Sequence, residues 1–393
     1  MENLVILPRE EAAMRLAKVQ EKLAGVADAM LVTDYANLYY LTGRVFAGWA
    51  YIPVDGNPLW IVRRPIELGG DGVAYVRKPE EIPGVLESNG LSVPVTVGLE
   101  LDLTPWNTVD RLCKALGNPA TADVTNVMRE ARSVKTPGEI EMLKLSGARH
   151  SEVYARIPSL YHIGMTDFEL DVEIEHISRK EGNLGIFRIS GQSMEFFMSS
   201  VLTGENADAP TPYDFALGGA GMNPSLPVGA SGEEIKRNRP VMVDANGNYT
   251  GYMTDMTRVF SLGPVPDEAR RAHECSIEIH RMFAREAVPG TEAKALYERA
   301  LEIVKAHGLE RYFMGHRQHA GFVGHGVGIE INEWPVIAPK SRQVLREGNV
   351  IALEPKFVLP GIGAVGVENT YVVCADHAEC ITTAPEDIVE FIV

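Results

Sequence analysis

The spacing of apolar residues changes along the chain, and each change marks an element. From Pro8 to Gly25, residues Ala12, Ala13, Leu16, Val19 and Leu23 recur at helical spacing between an opening proline and a closing glycine, which predicts a first helix. The runs DAMLVT, WAYIPV and LWIVRR then read as short strands, the last two flanking the turn Asp55-Gly56-Asn57-Pro58. VTVGLEL adds a strand and TPWNTVDRLCKALG contains a helix, which completes a small α/β unit. Thr136-Pro137-Gly138-Glu139 is a capping box with proline at the first helical position, opening a helix towards His150. A second unit therefore begins near Ser133, dividing the chain into residues 1–132 and 133–393. Within it, Thr166-Asp167-Phe168-Glu169 opens another helix that Gly182 stops, and longer helical patterns cover Asp267–Ala287 and Thr291–His307. The segments between them read as strand and turn.

The second unit contains an internal echo. Ile235–Asp244 aligns position by position with Leu345–Glu354; each is a polar turn leading into a β-rich run that ends in a carboxylate. Each is followed by glycine-containing turn residues and a further strand with another acid, so that Thr254-Asp255-Met256-Thr257 matches Val367-Glu368-Asn369-Thr370. Two related hairpins are expected, each with an acid on both arms where the strand leaves an apolar core.

Composition narrows the function classes. Apolar content of 45% and charged content of 23% over 393 residues are those of a globular protein with room for two cores. A net charge of −16, spread along the chain, argues against nucleic acid or an anionic membrane as partner. No apolar run approaches the ~20 residues of a membrane span. The four cysteines lack C-x-x-C spacing and the N-terminus lacks a basic segment before an apolar one, so a reducing cytoplasm is expected.

Four carboxylates on two buried hairpins would repel one another unless cations neutralise them. Two divalent ions would balance Asp244, Asp255, Glu354 and Glu368, and paired hydrolytic ions lie ~3.5–4 Å apart, a spacing that bridging carboxylates set. The imidazole candidate is His325 in FVGHGVGI, whose flanking glycines would let backbone approach a metal or substrate. Oxygen-rich ligation with one imidazole suits Mn²⁺ foremost, with Co²⁺, Fe²⁺ or Zn²⁺ as alternatives.

The Asp-x10-Asp of VMVDANGNYTGYMTDMTR, the stretch GHGVGIEINEWP, the Glu-Pro of IALEPKF and the Glu of VGVENTYVV follow one another as in the pita-bread metallopeptidases. From Ser133 onward the chain resembles that family, in its aminopeptidase P and prolidase form, and the preceding part resembles the creatinase/prolidase N-terminal domain. The resemblance implies an α/β N-terminal domain ahead of an α+β pita-bread catalytic domain with a pseudo-two-fold repeat, and a homodimer. It makes Asp244 a terminal ligand of one ion, His325 and Glu354 ligands of the second, and Asp255 and Glu368 bridges. Glu354 would also relay a proton to the leaving nitrogen.

The surrounding shell departs from the proline-specific members. Asn332 stands seven residues after His325 where they carry a histidine, Gly321 four residues before it where another is common, and Gly366 where an arginine often sits. No histidine lies between His176 and His273, although a histidine usually precedes the first aspartate. Candidate replacements are His316, Arg317, Arg188 and Asn332 for binding substrate and His319 for catalysis. Three functions are weighed: an exopeptidase acting on Xaa-Pro bonds of small peptides, a hydrolase or lyase of a small non-peptide amide or related metabolite, and a metal-free binding module. The complete set of acids and His325 weighs against the last.

Overall fold

The computed structural model describes residues 2–189, 197–213 and 217–393, which fall into two units, Met1–Arg132 and Ser133–Val393. In the first, a mixed sheet runs in the order Val73–Tyr75, Leu59–Arg64, Ala47–Pro53, Ala29–Val32, Thr96–Leu99, Ala120–Asp123. Its apolar face sets Trp49, Ile61 and Leu99 against Leu86 and Leu112 of the helices Ile82–Ser88 and Trp106–Ala115. The helix Arg9–Leu23 follows Pro8 as expected. The helix Tyr35–Thr42 was not marked by apolar spacing. It starts because Asp34 accepts the N–H groups of Ala36 and Asn37. Buried Glu100 in turn accepts the N–H groups of Thr33 and Asp34 and the Asn37 amide.

The second unit repeats one plan twice. Its first half has the helices Pro137–Tyr154 and Asp167–Lys180 beside a sheet ordered Val389–Glu390, Met253–Ser261, Pro240–Asn248, Ser199–Thr203. Both helices open with the anticipated reciprocal boxes, Thr136 with Glu139 and Thr166 with Glu169, each cap contributing ~1 kcal/mol. Leu170 and Ile174 pack on Val241, Val243 and Phe260. The second half sets the helices Asp267–Glu286 and Ala293–Ala306 beside a sheet ordered Glu333–Ile337, Gly324–Gly326, Val350–Leu353, Asn369–Val373, Ala378–Cys380, with Phe283, Leu296, Ile351 and Tyr371 in its core.

The halves are joined at the acid-bearing strands. Thr257 and Glu368 pair through their backbones, and Thr370 Oγ1 both accepts the Asp255 N–H and donates to the Asp255 carbonyl. Buried Arg258 donates to the carbonyls of Thr257, Glu368 and Ala384 and to Asn369 Oδ1, fastening both sheets with one guanidinium.

One refinement to the expected pair of hairpins matters for the site. Pro240–Asn248 and Met253–Ser261 pair without a break. The second pair is interrupted: Val350–Leu353 runs against Asn369–Val373, then the chain departs at Glu354-Pro355 and returns at Val367-Glu368. Between those points, Lys356–Leu359 and Gly363–Gly366 form a separate two-stranded ribbon. Pro355 has no N–H to continue the ladder, so Glu354 and Glu368 lie at a bend.

Candidate metal centre

Register brings the first two acids to one face. Asp244 lies opposite Thr257 and Asn246 opposite Asp255, and residues two apart on a strand share a side. The bend in the other half directs Glu354 and Glu368 to the same place. His325 arrives on the short strand Gly324–Gly326. Its Nδ1 lies 3.0 Å from the Gly326 carbonyl, a hydrogen bond that places the proton there and leaves Nε2 as a lone-pair donor. Nε2 lies 3.4 Å from Glu354 Oε1 and 3.8 Å from Asp255 Oδ2. Donor atoms from Asp255, His325 and Glu368 gather in one cluster, and donors from Asp244, Glu354 and Glu368 in another.

The glycines beside His325 have a packing cause. A Cβ on Gly324 would meet the Ala352 carbonyl at 2.6 Å, and one on Gly326 the Trp334 carbonyl at 2.3 Å. They admit neighbouring strands, whereas the sequence reading had them admit a metal or substrate.

The sequence reading also missed Lys356. Alternation places it on the same side as Glu354, two residues earlier. Its side chain is fully buried, and its Nζ lies 2.6 Å from Glu354 Oε2, 2.8 Å from Asp244 Oδ2 and 3.1 Å from Glu368 Oε2. Burial alone would lower this ammonium's pKa, but Asp244, Glu354 and Glu368 hold it well above the usual lysine value. Burial likewise acts to raise the Glu354 pKa; the charge of Lys356 outweighs it and brings Glu354 down. Asp255 and Glu368 are pushed up, first by burial and then by the neighbouring carboxylates. Glu368 Oε1 is buried and has no hydrogen-bond partner among the described residues.

These residues pass a test for one divalent ion. Donor atoms of Asp255, His325 and Glu368 lie within 4.8 Å of one another, and Glu368 Oε1 is left without a hydrogen-bond partner among the described residues, a set suited to borderline first-row metals. The Asp244–Glu354–Glu368 cluster already surrounds an ammonium.

The cluster forms one end of a cleft walled by Phe187, Phe197, Phe322 and Ile331, with Ser199, Ser200 and Asn332 as polar lining. Of the proposed replacement residues, Asn332 lines this cleft. His319 is not among the lining residues, its Nδ1 lying 2.9 Å from the Phe313 carbonyl. His316 Nδ1 and Arg317 Nε lie 2.9 and 3.4 Å from Asp208 Oδ2, so that carboxylate engages both. Arg188 meets the neighbouring segment through its carbonyl, which accepts the Ile331 N–H, and it is not among the residues that line the cleft. Ser200 Oγ was not anticipated: it is buried, lines the cleft and has no partner among the described residues. Its signal lay in register, opposite Asp244 on the neighbouring strand.

Solved structures share this architecture. An X-Pro aminopeptidase from Thermotoga maritima aligns over 94% of this chain and 99% of its own, with TM-score 0.79 and 23% identity. A Xaa-Pro dipeptidase from Bacillus anthracis aligns over 96% and 99%, with TM-score 0.81 and 22% identity. In sequence, a Xaa-Pro dipeptidase from Pyrococcus furiosus is 27% identical over 92% of this chain and 95% of its own length. Residues 15–134 match the creatinase/prolidase N-terminal domain. Residues 141–375, more than half of the protein and the span that holds all five expected ligands, match metallopeptidase family M24, and the chain is a member of that family.

Proposed function

We propose that this protein is a metal-dependent exopeptidase that hydrolyses Xaa-Pro bonds at the N-terminus of small peptides. The gathering of Asp255, His325 and Glu368 donor atoms, two of these residues lining an apolar cleft, carries the reading. Peptidase names among the similar proteins favour peptides over non-peptide amides. Asp255, His325 and Glu368 would hold a divalent ion there, which would supply Lewis acidity towards water and a substrate carbonyl. Glu354, kept ionised beside Lys356, accepts a proton and delivers it to the leaving nitrogen. The Phe187, Phe197 and Phe322 walls suit a pyrrolidine ring. Asn332 and the Ser200 hydroxyl are placed to hold the peptide's polar groups.

Manganese is the ion this oxygen-rich set favours. A homodimer is expected from the family resemblance. All four cysteines are free, which suits a reducing cytoplasm, and no helix among the described residues is long and apolar enough to cross a membrane. The test is a panel of Xaa-Pro dipeptides, Xaa-Pro tripeptides and proline-free controls, assayed with Mn²⁺, Co²⁺, Fe²⁺ and Zn²⁺ in turn. Turnover confined to proline-containing peptides supports the proposal; turnover of none of the peptides with any metal rejects it.

A further inference from the structure

We infer that the Lys356 ammonium takes the place of one of the two metal ions, so that this centre holds a single divalent ion on the Asp255–His325–Glu368 side. The inference rests on the metal-dependent reading above and departs from the two-ion arrangement that the family resemblance implies.

The argument is geometric. Asp244 was expected to be the terminal ligand of one ion and Glu368 a bridge to it. Both carboxylates, together with Glu354, instead contact Lys356 Nζ at 2.8, 3.1 and 2.6 Å. An ammonium has three N–H donors, and three carboxylates take them. A metal bound to those oxygens at the usual ~2.0–2.2 Å would have to share its ligands with a cation already seated among them. Charge counting does not choose: beside four carboxylates and one ammonium, one divalent ion leaves the site one negative and two leave it one positive. The occupied oxygens do choose. On the opposite side, Glu368 Oε1 is buried without a hydrogen-bond partner among the described residues, and donor atoms of Asp255, His325 and Glu368 lie within 4.8 Å of one another.

The backbone shows how the lysine is accommodated. Lys356 pairs with Gly366 across the ribbon, and Gly366 has a positive φ of 149°. A Cβ there would lie 2.9 Å from Lys356 Cα and 3.3 Å from Lys356 Cγ. The nearest atom to such a Cβ is the Pro355 carbonyl oxygen at 2.6 Å, so backbone holds position 366 to glycine, and Lys356 on the facing strand brings the positive charge to the acids. With all its N–H groups engaged, Lys356 is a fixed charge and a positioning residue. It holds Glu354 Oε2 and leaves Oε1 on the His325 side.

The experiment counts metal in the full-length protein without reference to turnover. Protein saturated with Mn²⁺ and freed of excess is analysed by elemental mass spectrometry, and its paramagnetic resonance spectrum is recorded. Wild type should retain about one ion per chain with the signal of isolated Mn²⁺. Lys356→Ala, which vacates both space and charge, should retain about two and show spin coupling. Asp244→Asn in the otherwise native chain should leave the count near one, because Asp244 holds the ammonium. About two ions and a coupled spectrum in wild type would overturn the inference while leaving the metallopeptidase reading intact. Unchanged counts in a folded Lys356→Ala protein, or loss of the ion in Asp244→Asn, would also overturn it. No ion retained by any variant would overturn both readings. If Lys356→Ala does not fold, the wild-type spectrum and the Asp244→Asn count decide.

Discussion

Asp171, which is not among the expected ligands, gives a measurable handle on the catalytic unit. It lies on the helix Asp167–Lys180, is buried, and accepts a hydrogen bond from Ser199 Oγ. Burial raises its pKa most, Glu175 and Asp167 add repulsion, and the Ser199 hydroxyl opposes them, for a value of about 7. The folded state therefore binds this proton more tightly than the unfolded state, whose aspartate titrates near 3.9. The stabilisation is complete below the unfolded value and is lost as pH rises through the folded one. Three units at ~1.4 kcal/mol each set a ceiling of about 4 kcal/mol, of which about 2–3 kcal/mol falls between pH 5 and pH 8. For a unit of this size, that corresponds to roughly 5–10 °C in Tm. Asp171→Asn keeps the shape and an acceptor for Ser199 but cannot ionise. Calorimetry of both proteins at pH 5 and pH 8, with metal concentration held constant, isolates this residue from other titrating groups. The variant should be the more stable by the larger margin at pH 8. Equal margins at both pH values would refute the reasoning, because they would show that Asp171 does not carry the pH dependence.

Glu354→Gln should lower kcat at least ~100-fold, since it removes the proton carrier, whereas Asn332→Ala should lower kcat/KM less than ~10-fold; similar losses in steady-state assays would mean the chemistry has been misplaced. Chelation should abolish turnover and lower Tm, and saturating Mn²⁺ at ~100 times its Kd should restore about 2.7 kcal/mol, so a Tm indifferent to metal contradicts the centre. Because Gly366 offers no charge to a substrate carboxylate, Ala-Pro-Ala should exceed Ala-Pro in kcat/KM by tenfold or more, a lost charged contact being worth ~2–5 kcal/mol. A preference for the dipeptide would point to another cation in the cleft.

What could be read beforehand was what depends on neighbours in sequence. The boxes at Thr136 and Thr166 form because each needs only four consecutive residues. The echo of Ile235–Asp244 in Leu345–Glu354 was legible because both segments serve one repeated plan. Features decided by distant segments were hidden. His325 looked glycine-flanked for its own sake until Ala352 and Trp334 were seen against those glycines. The polar run around His316 and Arg317 looked like a replacement substrate shell, yet Asp208, more than a hundred positions away, engages both side chains. Lys356 followed a recognised Glu-Pro pair and alternated with Glu354; what could not be read was that the bend at Pro355 would fold its stem among the acids. The start of the helix Tyr35–Thr42 depends on Glu100, which no local pattern connects to it.

The Gly366–Lys356 pairing also constrains the order in which mutations can be tolerated. Placing arginine at 366 alone sets a Cβ 2.6 Å from the Pro355 carbonyl, against backbone, at a φ that side-chain-bearing residues rarely adopt. It also adds a cation beside a buried one. Removing Lys356 in the absence of metal strands Asp244, Glu354 and Glu368 without their shared counter-charge, which is costly for buried groups. Arginine at 366 is therefore barred by backbone whether or not Lys356 is present, whereas loss of Lys356 can be made good by a second divalent ion. The two positions should therefore drift differently: a library should return glycine at 366 in every background, and replacements of Lys356 only where metal is plentiful.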